Sequence, residues 1–431
     1  MNEYDSNRIY DLAKKINYEQ TKNFNEADCY VLNTCHIREK ATDKVYHDIG
    51  RVKKIFKNKK KPIVIVTGCV AQAEGEILLQ NEKYIDAVLG PQSYHRFNKT
   101  LLKVEKSNDQ VNSTEFNVVE KFDDLNFIHN SCNKVSSFLT IQEGCDKFCK
   151  FCVVPYTRGQ EYSRSINEIS YECKTLVSNG AKEITLLGQN VNAYNYNGHK
   201  LSSLINEISK IKGLKRIRYT TSHPVDFTED LIQAHKHNEK LMPLIHLPVQ
   251  SGSNKILKAM NRKHNIKDYL DIINKLKKAN PSVRFSSDFI IGYPGETEKD
   301  FKETLSILKE VEFINTYSFI FSPRPGTPAA KLKEVDINLA KERLIVFQKI
   351  SNELKMRYRK DLFNKTEKVL IENKMNMKDK FFGRDEHFNS IVINNRNDLR
   401  GMIIKVKILT GNQNTLFGTV IEKEKNENFA A

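Results

Sequence analysis

Cys145, Cys149 and Cys152 stand within eight residues of one another in the stretch EGCDKFCKFCVVPYTRG (143–159). Three thiolates that close in sequence can wrap one metal centre. A structural zinc site takes a fourth ligand nearby, and the nearest other cysteines, Cys132 and Cys173, are each more than ten residues away. Three cysteines on a cubane iron–sulfur cluster instead leave one iron open to a substrate or cofactor. Cys35 and Cys69 make a second set, each following a short apolar, β-branched run, in YVLNTC (30–35) and KPIVIVTGCV (61–70). Strand ends are where open α/β folds place their sites. Cys29, six residues before Cys35, reads as a small buried hydrophobe, as do Cys132 and Cys173. Clustered cysteines in a chain of 431 residues point to metal or redox chemistry rather than to a disulfide scaffold.

The elements that must hold these residues follow two rhythms. Residues 1 to about 100 alternate strand-like and helix-like stretches, which predicts an amino-terminal open α/β domain. Residues 103–133 are polar and weakly periodic and read as a linker. From 136 the alternation resumes, with strands expected at 137–144, 183–190, 216–222, 244–250, 283–292 and 316–323. Six parallel strands with crossover helices predict a partial (β/α)6 barrel, with its chemistry at the carboxyl ends of the strands. A long amphipathic helix is expected over 338–363, then short strands at 368–373, 388–395, 402–409 and 415–422 that suit a small closed all-β barrel. Chain length alone predicts two or three domains.

Composition bounds the rest. Apolar residues make up 39% and charged residues 28%, a globular balance. No apolar run approaches the ~18 residues of a membrane helix, and MNEYDSNRIYDLAKK lacks a secretory core, so no membrane association and a cytoplasmic location are expected. Sixty-nine Lys+Arg against 53 Asp+Glu give a formal charge of +16. That excess favours a polyanion such as nucleic acid, although a Lys-rich proteome gives the same balance.

The C-x3-C-x2-C run after a first barrel strand is the signature of the radical S-adenosylmethionine (SAM) superfamily, in which SAM chelates the open iron. The stretches GCDKFCKFCVVPYTRGQEYSR, LLGQNVNAY, SHP, HLPVQSGSNKILKAMNR, DFIIGYPGET and FSPRPGTPAA resemble the methylthiotransferase family, in order and over nearly the whole chain. CVVPYTRG and LLGQNVNAY are most similar to its branch acting on isopentenylated adenosine in tRNA. The resemblance implies a methylthiotransferase amino-terminal domain (1–102), a linker (103–133), a radical SAM domain (134–363) and a carboxyl-terminal TRAM barrel that binds RNA (364–431). It implies SAM and two 4Fe–4S clusters as cofactors, one held by Cys145, Cys149 and Cys152, the auxiliary one by Cys35 and Cys69. The implied reaction attaches a methylthio group to C2 of N6-isopentenyladenosine beside the anticodon. One SAM methylates a sulfur on the auxiliary cluster, and a second yields the radical that abstracts the C2 hydrogen. The family's third auxiliary cysteine belongs to a motif of the form GCQMNEYDS, whereas this sequence begins MNEYDS. About a dozen residues and one ligand are therefore expected to be missing, with Cys29 as the alternative substitute.

The resemblance also implies SAM contacts at Gly188, Gln189 and Asn190 after the second barrel strand, and at Gly292, Pro294, Gly295 and Glu296 after the fifth. His246 and Gln250 could face SAM or substrate, Arg158 could pair with a carboxylate or phosphate, and Phe148 and Phe151 could shield the cluster; a structural role is open for each. In the last segment Lys365, Lys368, Arg384 and Lys405 could meet phosphates, and Phe381, Phe382 and Phe388 could stack on bases or fill the barrel. Further expectations are a flavodoxin- or ferredoxin-type electron donor and a monomer. The rival readings are methylthiolation of threonylcarbamoyladenosine in tRNA or of a ribosomal-protein aspartate, and, from another class, a non-catalytic iron–sulfur RNA-binding protein.

Overall fold

The computed structural model describes residues 1–34, 41–107, 109–115, 134–377 and 379–423. The chain divides into two compact units: residues 1–131, 142–164 and 322–331 form one, and 132–141, 165–321 and 332–431 the other.

The first unit is built on a parallel four-stranded sheet in the order Cys29–Thr34, Ile63–Gly68, Ala87–Leu89, Val111–Ser113. A parallel sheet needs cover on both faces, and the central strand supplies both. Ile65 packs with Ile9 and Leu12 of the helix Asn2–Lys14 and with Phe97 and Leu101 of the helix Phe97–Ser107. Val64 and Val66 pack the other way, on Val45, Ile49 and Val52 of the helix Ala41–Ile55 and on Val70 and Leu78 of the helix Cys69–Asn81. The expected linker is shorter than its sequence suggested: residues 103–107 finish a helix and 111–113 form the edge strand. Leu101 and Val104 hold that helix to the sheet, and their spacing is diluted by the lysines and glutamate between and after them.

In the second unit the six expected strands are present as two parallel three-stranded sheets. Arg216–Tyr219, Glu183–Leu187 and Ser136–Thr140 form one, and Leu244–His246, Arg284–Ile291 and Asn315–Ile320 the other. Crossover helices such as Ile166–Ser178 and Glu298–Val311 start at capping boxes (Ser165 with Glu168, Thr297 with Asp300), which satisfy amide donors left open at a helix start. One continuous apolar core joins strands and helices. The helix Ile337–Asp361 leads into a closed barrel whose strands run in the order Thr366–Lys374, Lys380–Arg384, Ser390–Asn394, Leu416–Lys423, Ile403–Gly411. Its interior is aliphatic apart from Phe381, with Val369, Ile371, Ile391, Ile404 and Val406 all buried. The architecture is the expected α/β plan, with an open sheet, a split (β/α)6 barrel and a small all-β barrel.

Two arginines seat the small barrel. Arg216 donates to the carbonyls of Arg384 and Lys368, each at 2.8 Å. Arg218 donates to those of Glu386 and Asp385 at 2.8 Å while its Nε meets the buried Glu183 carboxylate at 2.9 Å.

Candidate active site

The strand pair Gln142–Glu143 and Tyr162–Ser163 closes the ends of the cysteine loop. Between them the backbone is tightly set. Cys145 N–H donates to the Gly159 carbonyl (3.1 Å) and Cys152 N–H to the Cys149 carbonyl (2.9 Å). Gly144 has φ +75°, and a Cβ there would come within 1.8 Å of the Gln160 carbonyl oxygen, so only glycine fits. Cys149 is buried, with Cys145 and Cys152 partly so. Burial pushes the Cys145 thiol up to about 12, and Cys152, Glu161 and Cys149 push the same way, opposed by the Lys147 amide. The three sulfurs thus share one electrostatic neighbourhood. No three His, Cys, Asp or Glu side chains among the described residues converge on a single ion. A cubane does not need that, because each thiolate binds a different iron, and ligation would remove the protons. The donor set fits such a cluster. Phe148 is half exposed at φ +49° and rests edge-on against Tyr156.

Arg158 ends the short helix Val154–Arg158 that follows the loop, and it is 2% exposed. Its Nη2 donates to Asp5 Oδ2 at 2.8 Å, its Nη1 lies 3.9 Å from Glu143 Oε1, and its Nε points at Cys69 Sγ at 3.4 Å. Cys69 opens the helix Cys69–Asn81 at the carboxyl end of the strand Ile63–Gly68. Cys35, its expected companion, and Cys132 lie outside the described residues. Cys29 pairs with Ile63 at the amino end of its strand, while Thr34 pairs with Gly68 at the other. Five residues at ~3.3 Å each put Cys29 roughly 17 Å from that end, which removes it as a substitute ligand beside Cys69. Burial raises its thiol to about 12. Cys173 is buried in the helix Ile166–Ser178 and its thiol is raised likewise.

In the second unit, residues 188–190 follow the strand Glu183–Leu187, where Asn190 donates to Asp226 at 2.7 Å. The turn 292–296 follows the strand Arg284–Ile291. Gly292 has φ +71°, and a Cβ on it would meet Ala340 Cβ at 2.8 Å. Glu296 is buried, and its Oε1 accepts from Gly292 N–H (3.1 Å) and Arg343 Nη1 (2.9 Å). Its side chain therefore braces the turn from within. His246 Nδ1 meets Ser286 Oγ at 3.0 Å and its Nε2 lies 3.5 Å from Asp288, while Gln250 at φ +74° bonds through its backbone to Asp288 and Ile290.

In the small barrel Phe381 is core. Phe382 and Phe388 both face the Arg384 guanidinium, at 5.0 and 4.4 Å, and Arg384 pairs with Glu372 at 2.5 Å. Their rings are thus partly engaged within the protein. Lys365 and Lys368 are exposed and Lys405 partly so.

Residues 139–308 match the Radical SAM superfamily and residues 1–90 match the uncharacterized protein family UPF0004. The tRNA-2-methylthio-N(6)-dimethylallyladenosine synthase of Pelagibacter ubique is 56% identical over 429 residues, 99% of this chain and 96% of that protein. Enzymes of the same name from Rickettsia akari and Wolbachia pipientis are 46% and 47% identical, each over 97% of the relative. The chain belongs to the tRNA-2-methylthio-N(6)-dimethylallyladenosine synthase family. Among solved structures, the radical SAM methyltransferase TsrM from Kitasatospora setae aligns with a TM-score of 0.58 at 12% identity, over 76% of this chain and 71% of that one. That likeness supports the fold alone.

Sequence reasoning named the cysteines and the turns but not the partners of Arg158 and Glu296. Asp5 lies 153 residues from Arg158 in sequence, and Arg343 sits on the helix Ile337–Asp361 where its sequence reads like any surface arginine. The faint signals are Asp5 within MNEYDS and Arg158 within YTRG, which follows the cysteine run.

Proposed function

We propose that the protein attaches a methylthio group to C2 of N6-isopentenyladenosine beside the anticodon of tRNA. The observation that carries the reading is full-length identity of 56% to an enzyme so named, in a chain whose cysteine loop is locked for ligation and whose last segment is a closed barrel. Cys145, Cys149 and Cys152 hold the radical cluster, and Cys35 and Cys69 ligate the auxiliary one. When bound, the clusters supply the electron for reductive cleavage of SAM and a site for the transferred sulfur.

The chain's own residues do the positioning. Gly188, Gln189 and Asn190, with the turn Gly292, Pro294, Gly295 and Glu296, frame SAM; Glu296 acts by holding the turn rather than by reaching outward. Lys365, Lys368 and Lys405 meet tRNA phosphates from the TRAM-like barrel, consistent with the +16 charge. A flavodoxin- or ferredoxin-type donor delivers electrons, and the enzyme works as a cytoplasmic monomer. No helix among the described residues is long and apolar enough to cross a membrane. Mass spectrometry of tRNA nucleosides from a deletion strain tests the reading. The 2-methylthio group on isopentenyladenosine should disappear, and its retention refutes the assignment.

A further inference from the structure

We infer that Tyr317 and Phe319 are specificity-determining residues: their rings, with Ile290 beside them, take the isopentenyl group of the acceptor adenosine. The inference rests on the isopentenyladenosine reading proposed above.

The strand Asn315–Ile320 has two unlike faces. Thr316 shares a hydrogen bond with Ser351, and Ser318 Oγ accepts from Gln348 at 3.4 Å, both on the helix Ile337–Asp361. On the neighbouring strand Phe289 turns the same way, its ring 4.7 Å from that of Phe347. Successive side chains alternate across a strand, so Tyr317 and Phe319 stand on the face turned away from that helix. Tyr317 pairs there with Asp288, and Phe319 with Ile290. That face is open: Tyr317 is 53% exposed and Phe319 45%. A parallel sheet ordinarily has both faces covered, and a small closed barrel fills its interior with side chains. Large rings left half bare in the middle of a strand mark a binding surface.

The polarity of this face is graded. Phe319 and Ile290 make its apolar end. Tyr317 leads to a polar end, where the His246 ring stands edge-on at 5.9 Å and His246 Nε2 lies 3.5 Å from the Asp288 carboxylate. N6-isopentenyladenine runs in the same order, from a branched apolar tail to an N–H and then to the ring. An ionised Asp288 only accepts hydrogen bonds, which suits that N–H. A threonylcarbamoyl group instead carries a carboxylate, which Asp288 repels and the bare rings leave unsolvated. The face also runs on into the turn 292–296, since Ile290 stands two residues before Gly292. A base seated here therefore lies at the carboxyl end of the strands, where barrel chemistry is done. Enzymes that act on a base take it out of the stack and hold it by such apolar walls and edge contacts.

The test is binding of synthetic anticodon stem-loop RNAs to the full-length protein, followed by fluorescence anisotropy. One loop carries N6-isopentenyladenosine and the other plain adenosine at the same position, so the readout needs no bound iron. Wild-type protein should favour the isopentenylated loop. Phe319→Thr and Tyr317→Thr should each cut that preference by about tenfold, with affinity for the plain loop kept within about twofold. Threonine suits a strand, and thermal melts check that the variants fold. Phe319→Leu keeps an apolar side chain and should retain most of the preference. An unchanged preference in both threonine variants would overturn the inference, as would equal binding of the two loops by wild type. Equal loss of affinity for both loops also overturns it, because rings that only support the fold would act that way. A wild-type preference for a loop carrying threonylcarbamoyladenosine refutes the substrate reading itself, a failure distinct from that of the rings.

Discussion

Replacing Glu296 by alanine should cost the protein its grip on SAM without touching a cluster ligand. Glu296 Oε1 accepts from Gly292 N–H at 3.1 Å and from Arg343 at 2.9 Å, with the two side chains 1% and 5% exposed. Burial raises the Glu296 carboxyl above its ordinary range, and the Gly292 amide and Arg343 oppose that by stabilising the charged form. Removing one partner of such a pair leaves a buried charge, which costs about 3–5 kcal/mol. Arg343 keeps the Glu296 carbonyl at 3.2 Å and Glu298 at 3.5 Å, so the low end, about 3 kcal/mol, applies. If half to all of that falls on the order of the turn, SAM dissociation constants rise by about 10- to 150-fold. Isothermal titration of SAM into reconstituted protein measures this, alongside denaturant unfolding. Arg343→Met separates bracing from direct contact, because Arg343 acts on the turn through Glu296. A matching loss of SAM affinity is expected. Wild-type affinity in Arg343→Met beside a large loss in Glu296→Ala would refute the brace and place the carboxylate on the ligand.

Three further outcomes are expected. Gly144→Ala must set a Cβ against the Gln160 carbonyl at a left-handed φ, so iron bound by the three-cysteine loop should fall by more than half, with full occupancy counting against the locked-loop reading. Glu367 is pushed up to about 7 from 4.5 by burial, with Asp385 and Glu386 adding to it. A raised carboxyl contributes stability below about pH 4.5 that is lost as pH rises through about 7. Discounted for partial exposure, this is on the order of 1–2 kcal/mol, so Glu367→Gln should melt higher than wild type at pH 8 and similarly at pH 4.5; equal melting at pH 8 would contradict it. Charge reversal at Lys365, Lys368 and Lys405 should weaken tRNA binding and lower the salt slope by up to about three, and an unchanged slope removes these lysines from the interface. Excising residues 365–431 would be a poorer test, because it strips the carbonyl partners from buried Arg216 and Arg218.

What could be read from the sequence is what local chemistry dictates. EITLL and RFSSDFII announce buried strands by β-branched and aromatic runs, and both form where expected. The three-residue strands Ala87–Leu89 and Val111–Ser113 carry too few residues for a period, and they exist because the neighbouring strand already does. For the aromatics of KFFGR stacking and barrel core were both open, and as a strand of a closed barrel it turns Phe381 inward, into the core. The cysteines could be singled out because ligation needs particular atoms at particular spacings. That Arg158 pairs with a carboxylate was expected and holds; which carboxylate was not legible, since nothing near position 158 tells that Asp5, 153 residues earlier, is buried against it.

The seat of the small barrel has a consequence for how this enzyme can change over generations. Arg216 and Arg218 grip main-chain oxygens at 368, 384, 385 and 386, and every amino acid carries one. The exposed side chain of Lys368 is therefore free to drift without loosening the attachment, whereas the buried Asp385 carboxylate also accepts from the His387 and Asn389 amides and Arg384 pairs with Glu372. Selection can rewrite the exposed surface of the barrel while the main-chain hydrogen bonds that seat it on the strand Arg216–Tyr219 stay in place. Geometry is inherited from the backbone, and specificity is left open to revision.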